Sequence, residues 1–267
     1  MSMTLTPVLG LQLHTLRIAG PAHAPTLVFL HEGLGSIALW RDWPAQLCQR
    51  LGCAGLLYSR EGYGQSSPHG DVRGTTRVEA GRHLGRWTPD YMHREALEVL
   101  PALLQTLGIA RPWLLGHSDG GTIALLHAAH HAVAGCIVMA PHVMVEDISV
   151  QAITQARAAF EHGPLRARLA PFHADVDGAF WQWNDVWLSD AFRSYDIRGE
   201  VATIAAPLLA IQGEDDPYGT MAQIDDIARA VPHAQLLKLP ACGHSPHRDQ
   251  PEAVAQAVEA FIRARTA

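Results

Sequence analysis

Ser118 lies in the pattern Gly-x-Ser-x-Gly, which runs from Gly116 to Gly120. An apolar run ends at Leu115 just before the pattern, and small residues and alanines follow it, so we expect a buried strand, a tight turn and a helix. The two glycines remove the Cβ atoms that would clash where the backbone bends to expose the serine hydroxyl. The free N–H groups at the start of the helix favour negative charge that develops there. The pattern therefore predicts a nucleophilic serine.

A nucleophilic serine needs a base that accepts its proton and an acid that orients the base. Two later loops carry these residue types, and each follows a predicted strand. Because catalytic groups in an open parallel sheet lie on loops at the carboxyl ends of the strands, we expect both loops near Ser118. The candidate acids are Glu214, Asp215 and Asp216, and the candidate bases are His244 and His247.

The segments around these loops alternate between strand and helix patterns. Residues 11–18 alternate apolar and polar side chains, which predicts a strand at the edge of the sheet with one wet face. Apolar runs predict further strands, covered on both faces, at 26–30, 55–58, the run that ends at 115, 134–140, 207–211 and 234–239. Helix patterns cover 42–51, 221–230, 251–265 and a long helix 91–107 capped by Asp90. The alternation predicts an α/β fold with a mainly parallel sheet and helices on both faces.

Residues 143–200 differ from the rest of the chain. They carry charged, histidine-rich helical patterns at 151–161 and 164–170, then a cluster of aromatic residues, and no clear strand interrupts them. We therefore expect a core formed by residues 1–142 and 201–267, and a helical cap, or lid, formed by residues 143–200 and inserted after the sixth core strand. The aromatic cluster comprises Phe180, Trp181, Trp183 and Trp187.

The composition narrows the class of protein. With 267 residues, of which 48% are hydrophobic, the chain is long enough to bury a large core in one domain. The formal charge is −6 and no lysine-rich run occurs, which argues against a nucleic-acid partner or an anionic membrane surface. The N-terminal region lacks a basic segment followed by a long apolar core, and no run is long enough to cross a bilayer. These features favour a cytoplasmic protein with a small-molecule substrate and leave its oligomeric state open.

The cysteines and histidines do not predict a metal or another cofactor. The cysteines lie in or beside apolar segments without metal-type spacing, so we expect reduced and mostly buried thiols. His127 and His131 have the i, i+4 spacing of a metal-binding pair on the helix after Ser118. No glutamate base lies between them, which favours surface residues over a metal site. The cysteines are Cys48, Cys53, Cys136 and Cys242.

The chain resembles enzymes of the α/β-hydrolase fold over nearly its whole length. The matching features are residues 31–35 after an early strand, the Arg60-x-Gly62-Tyr63-Gly64-x-Ser66 motif, the Gly116 to Gly120 turn, Gly213-x-x-Asp216 and Gly243-His244. Together these features are highly specific, although none would suffice alone. The resemblance implies that Ser118 is the nucleophile, that His244 is the general base and then the acid, and that Asp216 orients His244.

The same resemblance implies an oxyanion hole. One donor is the N–H of Asp119, the residue after the nucleophile, and the other is the N–H of Gly33 or Leu34 in the early loop. The family commonly has a His-Gly pair in this loop, whereas this chain has His31-Glu32. Glu32 therefore leaves the second donor open and places a carboxylate beside the active serine.

Asp119 and Glu32 are also candidate substrate-binding residues. The Gly-x-Ser-Asp-Gly-Gly turn resembles that of amino-acid-ester hydrolases of the valacyclovir-hydrolase type, in which an acidic side chain receives the ammonium group of the substrate. In the alternative, Asp119 only stabilises the turn. His142 either faces the pocket or caps a loop. The tryptophans of the aromatic cluster either pack the cap onto the core or line an apolar acyl pocket. They are Trp181, Trp183 and Trp187.

These features favour a serine hydrolase that cleaves small carboxylic esters through an acyl-enzyme. Hydrolysis of a carbon–carbon bond in ring-cleavage products of aromatic compounds uses the same fold and triad, and hydrolysis of thioesters or lactones is a further alternative. A different class is a non-catalytic ligand-binding protein of the same fold, which can retain the triad. Epoxide hydrolases and haloalkane dehalogenases of the fold are disfavoured because they have aspartate at the nucleophile position, where this chain has Ser118.

Overall fold

The structure is a computed structural model that describes residues 2–266, and the strands found in this range form one large sheet and one hairpin. The strands are β1 (Ser2–Val8), β2 (Leu11–Ile18), β3 (Thr26–Leu30), β4 (Ala54–Tyr58), β5 (Arg77–Glu79), β6 (Arg82–Leu84), β7 (Trp113–His117), β8 (Gly135–Met139), β9 (Leu208–Gly213) and β10 (Gln235–Leu239). The large sheet has the order β1-β2-β4-β3-β7-β8-β9-β10, and β5 pairs with β6. Only β2 runs against the other strands of the large sheet.

Helices connect most of the strands. They are α1 (Trp43–Leu51), α2 (Tyr91–Arg94), α3 (Leu100–Thr106), α4 (Asp119–His130), α5 (Asp147–His162), α6 (Leu165–Leu169), α7 (Val176–Trp187), α8 (Arg198–Val201), α9 (Ala222–Ala230), α10 (Pro246–Asp249) and α11 (Pro251–Thr266). Short 3₁₀ turns occupy Ile37–Trp40, Ala170–Phe172 and Asp190–Ser194.

Two apolar layers cover the sheet, one on each face. Successive side chains of a strand point to opposite faces, so Val28 and Leu114 join the layer built on α4, whereas Phe29 and Leu115 join the layer built on α1 and α11. Every residue of β7, β8 and β9 is buried, because both faces of these central strands are covered. The prediction of a mainly parallel sheet with helices on both faces is confirmed.

The prediction that residues 11–18 form the edge strand of the sheet is wrong. Residues 11–18 form β2, which pairs with β1 on one side and with β4 on the other, so β1 is the edge of the sheet. The first strand escaped detection because its outer face is wet: Met3 and Leu5 are exposed, and the buried Thr6 is satisfied by a 2.9 Å hydrogen bond with Thr15. The hairpin β5–β6 also escaped detection, since its short strands consist of partly exposed or exposed residues and carry no apolar run.

The prediction of one long helix at 91–107 is also wrong. It consists of α2 and α3 joined by a π-helical turn at Glu95–Val99, so the hydrogen-bond pattern is not that of one regular α-helix. The Asp90 side chain makes no capping hydrogen bond with the first turn. It accepts a hydrogen bond from the Thr88 hydroxyl instead.

The chain between β8 and β9 is mostly helical. It contains α5, α6, α7 and α8, and an isolated bridge joins Met144 to Asp196 at the two ends of this segment. Aromatic side chains of α5 and α7 join the same apolar layer as α4, among them Phe160, Phe180 and Trp187. The last turn of α7 therefore packs on the face of the sheet that α4 covers.

Candidate active site

The turn at Ser118 has the strained geometry that its glycines permit. Ser118 has φ +53° and ψ −121°, a region that non-glycine residues rarely adopt. A Cβ atom on Gly116 would lie 2.1 Å from the carbonyl oxygen of Gly120, and a Cβ atom on Gly120 would lie 2.1 Å from the carbonyl oxygen of Leu30. The turn is therefore possible only with glycine at both positions.

A continuous chain of hydrogen bonds joins three distant loops. His244 Nε2 lies 2.9 Å from Ser118 Oγ, and His244 Nδ1 lies 2.9 and 2.8 Å from the two carboxylate oxygens of Asp216. With the Nδ1 proton donated to Asp216, Nε2 is free to accept the proton of the serine hydroxyl. The neighbouring acids Glu214 and Asp215 are exposed, whereas Asp216 is buried.

Two further donors hold the Asp216 carboxylate. The main-chain N–H of Tyr218 donates to Oδ1 at 2.8 Å, and the side-chain amide of Gln212 donates to Oδ2 at 2.8 Å. Burial alone would raise the pKa of Asp216, but His244 and the Tyr218 N–H outweigh burial and lower the pKa below its ordinary value. Sequence reasoning missed Gln212, although a glutamine within the fully buried strand β9 was a usable signal.

Asp119 belongs to a second buried network next to the serine. Its Oδ2 accepts a 2.6 Å hydrogen bond from the Tyr91 hydroxyl, which in turn accepts one from Trp187 Nε1 at 2.9 Å. The Arg60 guanidinium lies 3.8 Å from the same oxygen. Burial raises the pKa of Asp119, and Arg60 limits the rise. The other oxygen, Oδ1, is buried and has no hydrogen-bond partner.

Arg60 also fixes the early loop. Its guanidinium donates to the carbonyl oxygens of His31 at 3.0 Å and Glu32 at 3.2 Å, and its main-chain N–H donates to His31 Nε2 at 3.0 Å. Since Gly33 and Leu34 follow directly, these bonds hold the backbone from which the expected oxyanion donor comes. Arg60 was part of the matched sequence motif, but its contacts with the loop could not be read from the sequence.

Most of the predicted site residues border a cavity of about 220 Å³, and the buried Asp216 lies behind His244 and does not line it. Of the residues predicted to bind substrate, Trp181 is the exception: it does not line the cavity but packs edge-on against Phe180, with the Arg73 guanidinium 4.1 Å from its ring. The lining residues missed by sequence reasoning include His117, Ile153, Tyr218 and Ser245. The predicted residues that line the cavity are Glu32, Gly33, Leu34, Ser118, Asp119, His142, Trp183, Trp187 and His244.

His142 adds a neutral polar group to this cavity. Its ring centroid lies 5.0 Å from that of Trp187 and 5.8 Å from that of His244, and its Nδ1 is buried without a hydrogen-bond partner. Burial, together with the nearby His244, lowers the pKa of His142 to about 3. His142 therefore remains uncharged at neutral pH and faces the pocket.

The expectation that His127 and His131 are surface residues is wrong for His127, which is buried, whereas His131 is exposed. The rings of His127 and His131 stack with centroids 4.5 Å apart, and His127 Nδ1 donates to the Ala96 carbonyl oxygen at 2.8 Å. Across residues 2–266, no group of three or more side chains has a metal-binding arrangement. No helix in the described part of the chain is both long and apolar enough to span a membrane. The four cysteines are buried free thiols, as predicted.

A serine at a sharp turn after a central strand of this sheet defines the class of the α/β hydrolases. The sequence profile of the alpha/beta hydrolase family matches residues 27–257, and the chain belongs to this family. The resemblance inferred from the sequence is therefore confirmed.

Named relatives agree with this class. The sn-1-specific diacylglycerol lipase ABHD11 of Mus musculus is 24% identical over 272 residues, which cover 91% of this chain and 82% of the lipase. A solved structure from a study of carboxylesterases of Nitrososphaera gargenis matches with a TM-score of 0.74 at 19% identity and covers 99% of both chains. The enol-lactonase from Burkholderia xenovorans LB400 matches with a TM-score of 0.72 at 22% identity, covering 96% of this chain and 98% of the lactonase. The prediction of an α/β-hydrolase enzyme is confirmed.

Proposed function

We propose that the protein is a serine esterase that cleaves small carboxylic esters. The observation that carries the proposal is the unbroken hydrogen-bond chain from Ser118 through His244 to Asp216 beside a cavity of about 220 Å³. In this proposal Ser118 is the nucleophile, His244 is the general base and then the general acid, and Asp216 holds the imidazole in the required tautomer.

The reaction follows in two halves. Ser118 Oγ attacks the ester carbonyl carbon while its proton passes to His244 Nε2, and a tetrahedral oxyanion forms. The oxyanion collapses to an acyl-serine, and the leaving alcohol takes the proton from His244. A water molecule then attacks the acyl-serine and gives a proton to His244, which returns it to Ser118 Oγ as the carboxylic acid leaves.

Main-chain N–H groups stabilise the oxyanion in this mechanism. We assign one donor to Asp119 and the other to Gly33 or Leu34, because all three border the cavity beside Ser118. The loss of one such donor typically costs about 3–4 kcal/mol of transition-state stabilisation. The bonds from Arg60 to the loop carbonyls support the assignment, since they hold the loop without occupying its N–H groups.

The cavity limits the size and polarity of the substrate. Its volume of about 220 Å³ is below the range of typical drug-sized pockets, which begins at roughly 300 Å³. Ile153, Trp183 and Trp187 supply apolar walls, so a short or compact acyl group fits best. We propose that the helical segment 143–200, which carries these three residues, acts as the cap that shapes the pocket and excludes water.

Covalent labelling tests the proposal. A fluorophosphonate should label Ser118 rapidly, p-nitrophenyl esters with short acyl chains should turn over, and Ser118→Ala should abolish both activities. Labelling without turnover would favour the ligand-binding alternative. Esterase activity retained in Ser118→Ala would overturn the mechanism. Matched thioesters, lactones and dienone acids, assayed in parallel, test the alternative reactions: a higher kcat/KM for any of them would displace the ester.

A second candidate is an ester that carries a free amine. The observation that favours it is Asp119, which borders the cavity and whose Oδ1 is buried without a hydrogen-bond partner. Against it, the Arg60 guanidinium already lies near the same carboxylate. An amino-acid ester and its N-acetyl form separate the possibilities: amine recognition predicts a lower KM for the free amine, and Asp119→Asn should remove this preference. Equal KM values would exclude it.

A further inference from the structure

A second carboxylate–histidine pair lies next to the proposed triad and contacts the loop of its base. The His117 ring donates from Nε2 to the main-chain carbonyl oxygen of His244 at 2.6 Å. On the other side of the ring, His117 Nδ1 lies 3.5 Å from Glu32 Oε2. His117 is 1% exposed, so its ring has no access to bulk water.

The direction of this contact is set by its atoms. A carbonyl oxygen only accepts hydrogen bonds, so His117 Nε2 carries the proton that is shared with His244. The Glu32 carboxylate also only accepts, so it forms an ion pair with the ring only when Nδ1 carries a proton as well. The arrangement therefore differs from the triad: both ring nitrogens of His117 face acceptors, and the hydrogen bond from Nε2 ends on the backbone of the loop instead of on the serine.

The surroundings of Glu32 are built to hold its carboxylate there. A Cβ atom on Gly35 would lie 2.6 Å from Glu32 Oε2, so glycine is required for the carboxylate to occupy this position. Arg248 Nη2 lies 3.6 Å from Glu32 Oε1, and Arg248 also donates to the Leu39 carbonyl at 2.8 Å. The buried ring of His247 packs against His117 with centroids 4.9 Å apart and closes the remaining side.

We propose that Glu32 and His117 are positioning residues, which hold the main chain of His244 so that its imidazole stays in line with Ser118. This inference rests on the proposed function, because it assigns His244 as the base. It also accounts for the glutamate found where the family commonly has glycine: its carboxylate serves the enzyme's own loop and is not the receptor for a substrate group.

Substitutions of His117 test the main-chain contact. His117→Phe keeps the ring shape but removes the donor, and small displacements of a catalytic group cost up to about 100-fold in rate. We expect kcat to fall about 10- to 100-fold with KM changed less than threefold. His117→Gln retains an N–H donor at nearly the same reach, so it should recover kcat to within about fivefold of the natural protein.

His127 provides the matched control. It is also a buried histidine whose ring bonds to a main-chain carbonyl, that of Ala96, but this carbonyl lies far from the His244 loop in sequence and the bond does not reach the loop. His117→Phe and His127→Phe should both lower the midpoint of urea unfolding, whereas only His117→Phe should lower kcat. A similar loss of kcat in both variants would reduce the role of His117 to general stability and overturn the proposal.

Glu32→Gln tests the carboxylate and needs no change of shape. We expect a fall in kcat of about fivefold with KM unchanged, and the variant carries the test if His117→Phe does not fold. A raised KM for amine-bearing esters with kcat unchanged would instead make Glu32 a substrate-binding residue. If Ser118→Ala is inactive but kcat survives in both Glu32→Gln and His117→Phe, the esterase proposal stands and this inference fails.

Discussion

Two buried aspartates near Ser118 and His244 have pKa values shifted in opposite directions. Asp216 is 6% exposed and has a lowered pKa, whereas Asp119 is 1% exposed and has a raised pKa. Asp216 is bonded by an imidazole, a main-chain N–H and an amide. Asp119 is bonded by one hydroxyl, from Tyr91, and its charge partner Arg60 is 3.8 Å away.

The comparison separates the effect of burial from that of hydrogen bonding. Removal from water disfavours both carboxylates, so burial alone predicts a raised pKa in each. The number and closeness of the donors reverse the outcome at Asp216 but not at Asp119. The lowered pKa of Asp216 therefore depends on donors from three places: Gln212 in β9, the main chain of Tyr218 and the His244 loop.

The largest effect on kcat is expected when the Asp216 carboxylate is replaced by a neutral amide. Asp216→Asn should lower kcat for a p-nitrophenyl ester by about 10⁴-fold, because the amide no longer enforces the required tautomer of His244. Asp215→Asn is the matched control: it removes the adjacent, exposed carboxylate and should change kcat less than twofold. Comparable losses in the two variants would contradict the assignment of Asp216.

Asp119→Asn should have a small effect on both stability and catalysis at neutral pH. Asparagine still accepts the hydrogen bond of Tyr91, and the raised pKa of Asp119 means that burial outweighs the attraction of Arg60 for its charge. We therefore expect the free energy of unfolding at pH 7, measured with urea, not to fall, and kcat to fall less than tenfold. A stable variant with strongly reduced kcat would instead give Asp119 a direct part in the reaction.

The Gln212 donor should have a smaller effect than the Asp216 carboxylate. Gln212→Leu removes one of the bonds to Asp216, and a hydrogen bond to a charged group contributes roughly 1.5–3 kcal/mol. We expect kcat to fall about 10-fold while KM is unchanged. Gln235→Leu, at an exposed position of the neighbouring strand β10, is the control and should leave kcat within twofold. An unaffected Gln212→Leu enzyme would mean that the remaining donors suffice.

The smallest effects, and the most specific, concern the pH dependence of stability. The folded-state pKa of Asp216 is depressed, so its stabilising contribution is present above the ordinary value of 3.8 and is lost as pH falls through the folded pKa. The folded-state pKa of Asp119 is raised, so its ionisation destabilises the fold above that pKa, and the penalty is relieved as pH falls toward 3.8.

Urea unfolding between pH 3 and 7 checks these signs. Compared with Asp216→Asn, the natural protein should lose stability as the pH falls below about 3.8. Compared with Asp119→Asn, it should gain stability as the pH falls toward about 3.8 from above. If the difference in the free energy of unfolding between the natural protein and each variant changed with pH in the same direction for both variants, the two carboxylates would not have opposite pKa shifts.

Most of the sheet could be predicted from local pattern. The apolar runs that form β3, β7, β8 and β9 are buried on both faces. A strand covered on both faces has apolar residues in succession, so such a run predicts a buried strand. The edge strand β1 and the hairpin β5–β6 were missed because partly wet strands carry little apolar signal. The π-helical turn at Glu95–Val99 could not be predicted from the apolar pattern, because it buries Glu95, which accepts a hydrogen bond from the Tyr58 hydroxyl, and leaves Leu97 only half-buried.

The sequence by itself determined the alternation of buried strands and helices, the sharp turn that Gly116 and Gly120 make possible, and the residue types available for acid–base chemistry. Only the tertiary structure decided which partners each carboxylate has. Gln212 and Tyr218 reach Asp216, Arg60 and Tyr91 reach Asp119, and Glu32 reaches His117. The physical reason is that periodicity reports burial along one element, whereas the ionisation of a buried group depends on donors that other elements bring to it.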